Sequence, residues 1–211
     1  MSPATRMRKI KKFKIPIYSY DILRKAKKRK IDLFALGLAA QEDAKEYIAS
    51  IAALIEPATV FDFVEPEDQL AKDPGPFAGG SLTLGLITLG APFADRLAAI
   101  RDQGHFALAE TAAVVFGDTG LKVITELIAQ ESGMEGFEPG QAAYLFACPE
   151  PDTDDPAPPA PPEAIAAALS RLQADKIGVR FENGALIPKY SLLFALPWVS
   201  RKKTRSASAK K

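Results

Sequence analysis

Apolar positions along the chain recur with two periods, and these divide it into helices and strands. From Gln41 to Glu56, Ala44, Tyr47, Ile48, Ile51, Ala52 and Ile55 recur three or four residues apart, the spacing of one helix face. Glu42, Asp43 and Glu46 lie near its start, where the helix dipole favours acids, and Pro57 ends it. A shorter helix follows Ser19, with Ile22, Leu23 and Ala26 on one side and Lys or Arg on the other. Residues 106 to 131 form the longest helical pattern, interrupted by Gly117-Asp118-Thr119-Gly120. Two helices joined by a turn would fit, but Thr111, Val114, Val115, Leu121, Val123, Ile124 and Leu127 keep one side apolar throughout. A single helix with a close-packed glycine step is therefore expected. Pro92 suits the first turn of a helix over Phe93 to Arg101, and Pro162-Glu163 opens an Ala-rich helix ending near Ala174.

The strand signals are shorter. Thr59 to Val64 is rich in branched and aromatic residues, and Ser81 to Leu89 alternates Leu82, Leu84 and Leu86 against Ser81, Thr83 and Gly85, as a central strand would. Ile177 to Glu182, an Asn183-Gly184 turn, Ala185 to Ile187 and Tyr190 to Val199 read as a terminal hairpin or meander. Pro188 and Pro197 push these strands toward an edge or a bulge. Residues 66 to 80 and the acidic, Pro-rich residues 149 to 162 read as loops. The order of elements predicts an α+β fold with a mixed sheet, long packed helices and a C-terminal β-hairpin. Residues 1 to 14 are expected as a basic flexible arm, 15 to 199 as a single α+β domain and 200 to 211 as a basic disordered tail.

A formal net charge of +1 conceals a strong segregation. Residues 1 to 30 hold twelve Lys or Arg against one acid, and residues 201 to 211 hold six and none, so the ends carry +17. Residues 31 to 200, with nine bases and twenty-five acids, carry −16. Such a split suits an anionic partner, whether nucleic acid, a membrane surface or an acidic protein, and equally suits two solvated arms. No apolar run reaches the roughly 20 residues of a membrane span, and the basic first residues have no apolar stretch behind them. The lone Cys148 forms no intrachain disulfide, which points to a reducing, cytoplasmic setting.

Catalytic constellations are scarce. His105 is the only histidine, which excludes histidine metal pairs, and a place at a helix start beside Gly104 accounts for it. No phosphate-binding glycine fingerprint occurs; Thr88-Leu89-Gly90 before a helix is an ordinary strand-turn-helix join.

One stretch carries a resemblance. Pro139-Gly140, then Tyr144-Leu145-Phe146-Ala147-Cys148-Pro149-Glu150, follow the long helix. This resembles the AdoMet-binding activation domain of cobalamin-dependent methionine synthase and its stand-alone relatives, where a helix leads to an arginine, Pro-Gly-Tyr and Ala-Cys-Pro-acid. Leu86 to Gly90 with Ala94-Asp95-Arg96-Leu97, and Ile177 to Ser191 with Glu182 at an acidic position, look like the same family's strand-helix unit and closing strands. The resemblance covers roughly residues 15 to 199. It departs in three respects: the spacing is stretched, Gln141 follows the glycine, and Gly136 stands where the arginine would be. No Lys or Arg occurs between Lys122 and Arg171.

The resemblance implies AdoMet held by Glu126, Pro139, Gly140, Tyr144, Ala147, Cys148, Glu150 and Glu182, with no catalytic residue and no metal ligand. It implies an accessory protein that presents AdoMet for reductive remethylation of a partner's cobalamin. The partners would be a corrinoid-binding methyltransferase module and a flavodoxin or ferredoxin donor. The alternative is a non-catalytic interaction protein on the same fold, without AdoMet, whose basic ends bind an acidic partner or nucleic acid.

Overall fold

The computed structural model describes residues 7–68, 80–134, 136–147 and 160–200. Five α-helices and eight strands occur among them. The strands are β1 (Arg8–Lys11), β2 (Ala58–Val64), β3 (Leu82–Thr88), β4 (Phe137–Pro139), β5 (Ala143–Ala147), β6 (Arg180–Glu182), β7 (Ala185–Ile187) and β8 (Ser191–Ser200). The helices are α1 (Ser19–Lys28), α2 (Gln41–Ala52), α3 (Ala91–Ala98), α4 (Gln103–Met134) and α5 (Pro162–Leu172).

The main sheet runs β1-β2-β3-β8, with β4 and β5 both pairing the far side of β8. Every pairing among the described residues is antiparallel, so the expected mixed sheet is corrected to an antiparallel one. Alternation along the strands sends side chains to two faces. Val60, Val64, Leu82, Leu84, Leu86, Leu145, Leu193 and Ala195 pack under α5 and the β6–β7 hairpin. Phe61, Ile87, Leu192, Phe194 and Leu196 pack against the C-terminal half of α4. The N-terminal half of α4 is instead buried among α1, α2 and α3, where Ile22, Ile48, Ile51, Phe93, Leu97, Leu108 and Phe116 form a second core.

The single long helix expected over 106–131 is present as the 32 residues of α4. The close-packed glycine step expected in this helix is corrected: a Cβ on Gly120 would meet Ile15 Cδ1 at 3.4 Å, an ordinary contact, and one on Gly117 would meet nothing within 4 Å. Its first turn is capped by Asp102, whose Oδ1 accepts from the backbone N–H of His105 at 2.8 Å and lies 2.8 Å from that histidine's Nδ1. The helix expected over Gln41 to Glu56 ends earlier, at Ala52, because the N–H of Glu56 donates to the Leu89 carbonyl and draws the chain into the sheet.

Three expectations change. Residues 8–11, expected within a flexible arm, pair with β2 as an edge strand, and Ile10 and Phe13 pack against the α4 side of the sheet. The Asn183-Gly184 turn forms with positive φ at both residues and makes the expected hairpin, but β6 and β7 stand as a separate two-stranded sheet. The following strand, β8, leaves that hairpin for the middle of the main sheet. Pro197 is tolerated there because it falls between the end of the β5 pairing at Ala195 and the start of the β4 pairing at Trp198. Its missing N–H thus interrupts no ladder. The tail from 201 onward lies outside the described residues.

Candidate functional site

A cleft of about 450 Å³ lies between the middle of α4 and the segment joining β4 to β5. It is built from an apolar helix that carries polar residues on one side. Leu121 and Ile124 face the sheet, while Asp118, Lys122, Thr125 and Glu126 follow at helical spacing on the cleft side. The opposite wall is Gly140, Ala142, Tyr144 and Leu196, and Lys25 of α1 closes one end.

Gly140 brings this wall close to β8. Its N–H donates to the Pro197 carbonyl at 2.7 Å, and a Cβ there would stand 3.1 Å from Pro197 Cγ and 3.3 Å from Val199 Cγ2. Tyr144 is placed by the β5–β8 pairing, opposite Phe194, and a bulge between Tyr144 and Phe146 lets Leu145 and Phe146 both turn to the α5 face.

The electrostatic centre is Asp118. Burial raises its carboxyl pKa above the ordinary value, and the opposing charges of Lys25 and Lys122 and a hydrogen bond from the Tyr144 hydroxyl only partly offset this. Lys25 Nζ lies 3.7 Å from Asp118 Oδ2. Tyr144 is pushed up to about 12 by its own burial first, then by the neighbouring Asp118 charge and the hydrogen bond to it. It is therefore a protonated donor at neutral pH. The arrangement presents charges of both signs to the cleft, and none of the described residues lining it is an activated nucleophile.

Of the residues singled out in the sequence, the structure brings Glu126, Gly140 and Tyr144 to this cleft. Pro139 precedes Gly140 at the end of β4, in register with Trp198. Ala147 lines a smaller cavity of about 40 Å³ behind Tyr144, bounded also by Gly117 and Asp118. Glu182 is not brought in: it is exposed on β6, 3.4 Å from Arg180 Nε, in the hairpin that packs on the α5 face. Cys148 and Glu150 lie outside the described residues. Gly136 is exposed with φ +83, beyond the cleft lining.

Sequence reasoning missed Asp118, Lys25 and Lys122. The available signal was an aspartate inside the apolar helical run, with a lysine one turn later at Lys122. Among the described residues no group of three or more His, Cys, Asp or Glu is placed to hold a metal ion, and no helix is long and apolar enough to cross a membrane. No family model matches the chain, and no curated protein matches it significantly.

Proposed function

We propose that this cleft binds AdoMet and that the protein is an accessory to corrinoid-dependent methyl transfer in the cytoplasm, on a fold of the methionine synthase activation-domain kind. One observation carries the reading: Gly140 and Tyr144 from the resembling motif and Glu126 from the end of the long helix, which lie on separate segments, line one cleft with Lys25, Lys122 and Asp118. Its volume of about 450 Å³ falls within the roughly 300–1,000 Å³ range of small-molecule sites.

The donor set suits a zwitterionic tail. Lys122 supplies the positive charge that the motif lacks at Gly136, Glu126 answers an ammonium group, and the paired Lys25 and Asp118 close the end of the cleft. Gly140 contributes close approach rather than a donor, because its N–H is already used by Pro197. AdoMet, when bound, supplies the methyl group, and the corrinoid of a partner module accepts it once a flavodoxin or ferredoxin has delivered an electron. The protein's own residues bind and orient, so no catalytic cluster is required of them.

The test compares AdoMet with methylthioadenosine, which lacks the charged tail, in binding to the full chain. AdoMet binding tighter by about tenfold or more supports the assignment of Lys122 and Glu126. Equal binding of the two, or none of either, counts against it. A second reading, an interaction protein without AdoMet that holds an acidic partner or nucleic acid, draws on the exposed Lys9, Lys11, Arg24, Lys27 and Lys28 of β1 and α1. Its signature is a steep loss of affinity with salt.

A further inference from the structure

A second groove, of about 480 Å³, runs between α1 and α4. Arg24, Lys25 and Lys28 line it from α1 and Lys122 from α4, so four cations share it with two carboxylates, Asp21 and Asp118. Both acids are engaged. Asp21 Oδ1 lies 3.3 Å from Arg24 Nη2, and Asp118 holds Lys25 at 3.7 Å and the Tyr144 hydroxyl. Lys28 and Lys122 bring charge beyond what these two acids match. The helix dipole accounts for Lys25 and Lys28 in the last turn of α1, and the spacing from Asp118 accounts for Lys122 on α4. Neither accounts for their convergence with Arg24 on a single concavity. Tyr18 lines the same groove while 53% exposed.

The geometry points to an anion site in this groove for a ligand bearing two or more phosphate charges. Arg24 offers a planar fork and the lysines offer point charges, the two ways proteins hold phosphate. Tyr18 presents a ring against which an attached base or other flat group stacks. The phosphates can belong to a free nucleotide or to a lipid headgroup. The site needs no AdoMet and stands whether or not the neighbouring cleft takes it, although Lys25, Asp118 and Lys122 line both cavities.

Pyrophosphate and ADP are titrated calorimetrically into the full chain, and the chain is floated with vesicles containing or lacking cardiolipin, whose headgroup carries two phosphates. The groove variant is Arg24→Glu with Lys28→Glu; the control, Lys9→Glu with Lys11→Glu, reverses two exposed charges on β1 outside the groove. Circular dichroism checks both folds, and Lys122→Ala gives the same direction if the double reversal disturbs α1. Pyrophosphate is expected to bind, ADP more tightly, and Tyr18→Ala to narrow that difference. Affinity falls by roughly tenfold or more in the groove variant and by less than about twofold in the control. Flotation with cardiolipin vesicles that the groove variant loses, with weak binding of both soluble ligands, assigns the phosphates to a lipid. Failure of all three probes to bind, or an equal loss in the control variant, overturns the proposal.

Discussion

The ring of Phe194 on β8 lies directly over Gly85 on β3, its cross-strand partner. A Cβ on Gly85 would fall 2.6 Å from Phe194 Cε1 and 2.8 Å from Cε2. The glycine leaves the space that the fully buried aromatic fills, in one core cluster with Leu121 and Ile124 of α4.

Gly85→Ala is expected to destabilise by about 1–3 kcal/mol through overpacking, and Phe194→Ala by about 3–5 kcal/mol through the cavity left behind. The double variant Gly85→Ala with Phe194→Ala should cost less than the sum of its parts. Urea unfolding of the three proteins measures this; strict additivity would contradict the contact.

Arg171 ties α5 to the sheet face that this helix covers. Its Nε donates to Asp62 Oδ2 at 2.9 Å, its Nη2 to the Phe63 carbonyl at 3.1 Å, and its Nη1 to Asp68. Asp62 is 5% exposed, so Arg171→Met strands a buried charge and should cost about 3–5 kcal/mol. Pairing that change with Asp62→Asn should recover part of the loss in the unfolding midpoint.

The pH dependence has opposite signs at two aspartates. The carboxyl of Asp118 is raised above 3.8 in the folded protein, so the folded state holds more protons than the unfolded one in the window just above that value. Stability attributable to Asp118 therefore falls as pH rises through the window. Asp118→Asn should leave the thermal midpoint at pH 7 unchanged or higher, with the difference vanishing under acid conditions. Asp102 is lowered by the backbone N–H of His105, then by that histidine's side chain. Its contribution is present above 3.8 and is lost as pH falls below it. Thermal melts of Asp118→Asn and Asp102→Asn across pH 3 to 7 separate the two; a clear drop for Asp118→Asn at pH 7 would contradict the account.

Gly136 sits where the resembling motif has its arginine, but its φ of +83 belongs to the left-handed region. Gly136→Ala should destabilise by roughly 1–2 kcal/mol, and an arginine placed there would carry the same backbone strain. Adding positive charge within the cleft by Thr125→Lys is the cleaner way to raise affinity for a carboxylate, read by the same titration as the wild type.

Much of the frame was legible because burial leaves a period in the chain. Ile22 and Ala26, Ile48 and Ile51, and the alternating leucines of β3 lie in the core where their spacing put them. β1 was hidden because it is an edge strand, held mainly by backbone pairing to β2, with few apolar residues in it and exposed lysines at Lys9 and Lys11. β4 and β5 were hidden because they are only three and five residues long, and their antiparallel pairing with β8 is a long-range property. The cleft was half legible: the motif gave Gly140 and Tyr144, and the end of the long helix gave Glu126. Lys25 and Asp118 meet only because α1 folds back onto α4.

The most direct measurement is calorimetric titration of AdoMet into the full-length protein, repeated with Tyr144→Ala and Lys122→Ala. The account predicts a measurable heat with one site, and losses of about 1.5–3 kcal/mol for the lysine variant, roughly one to two orders of magnitude in affinity. Tyr144→Ala, which removes the ring from the cleft wall and the hydrogen bond to Asp118, should weaken binding in the same direction. No heat at millimolar AdoMet, or affinity indifferent to both substitutions, would contradict it.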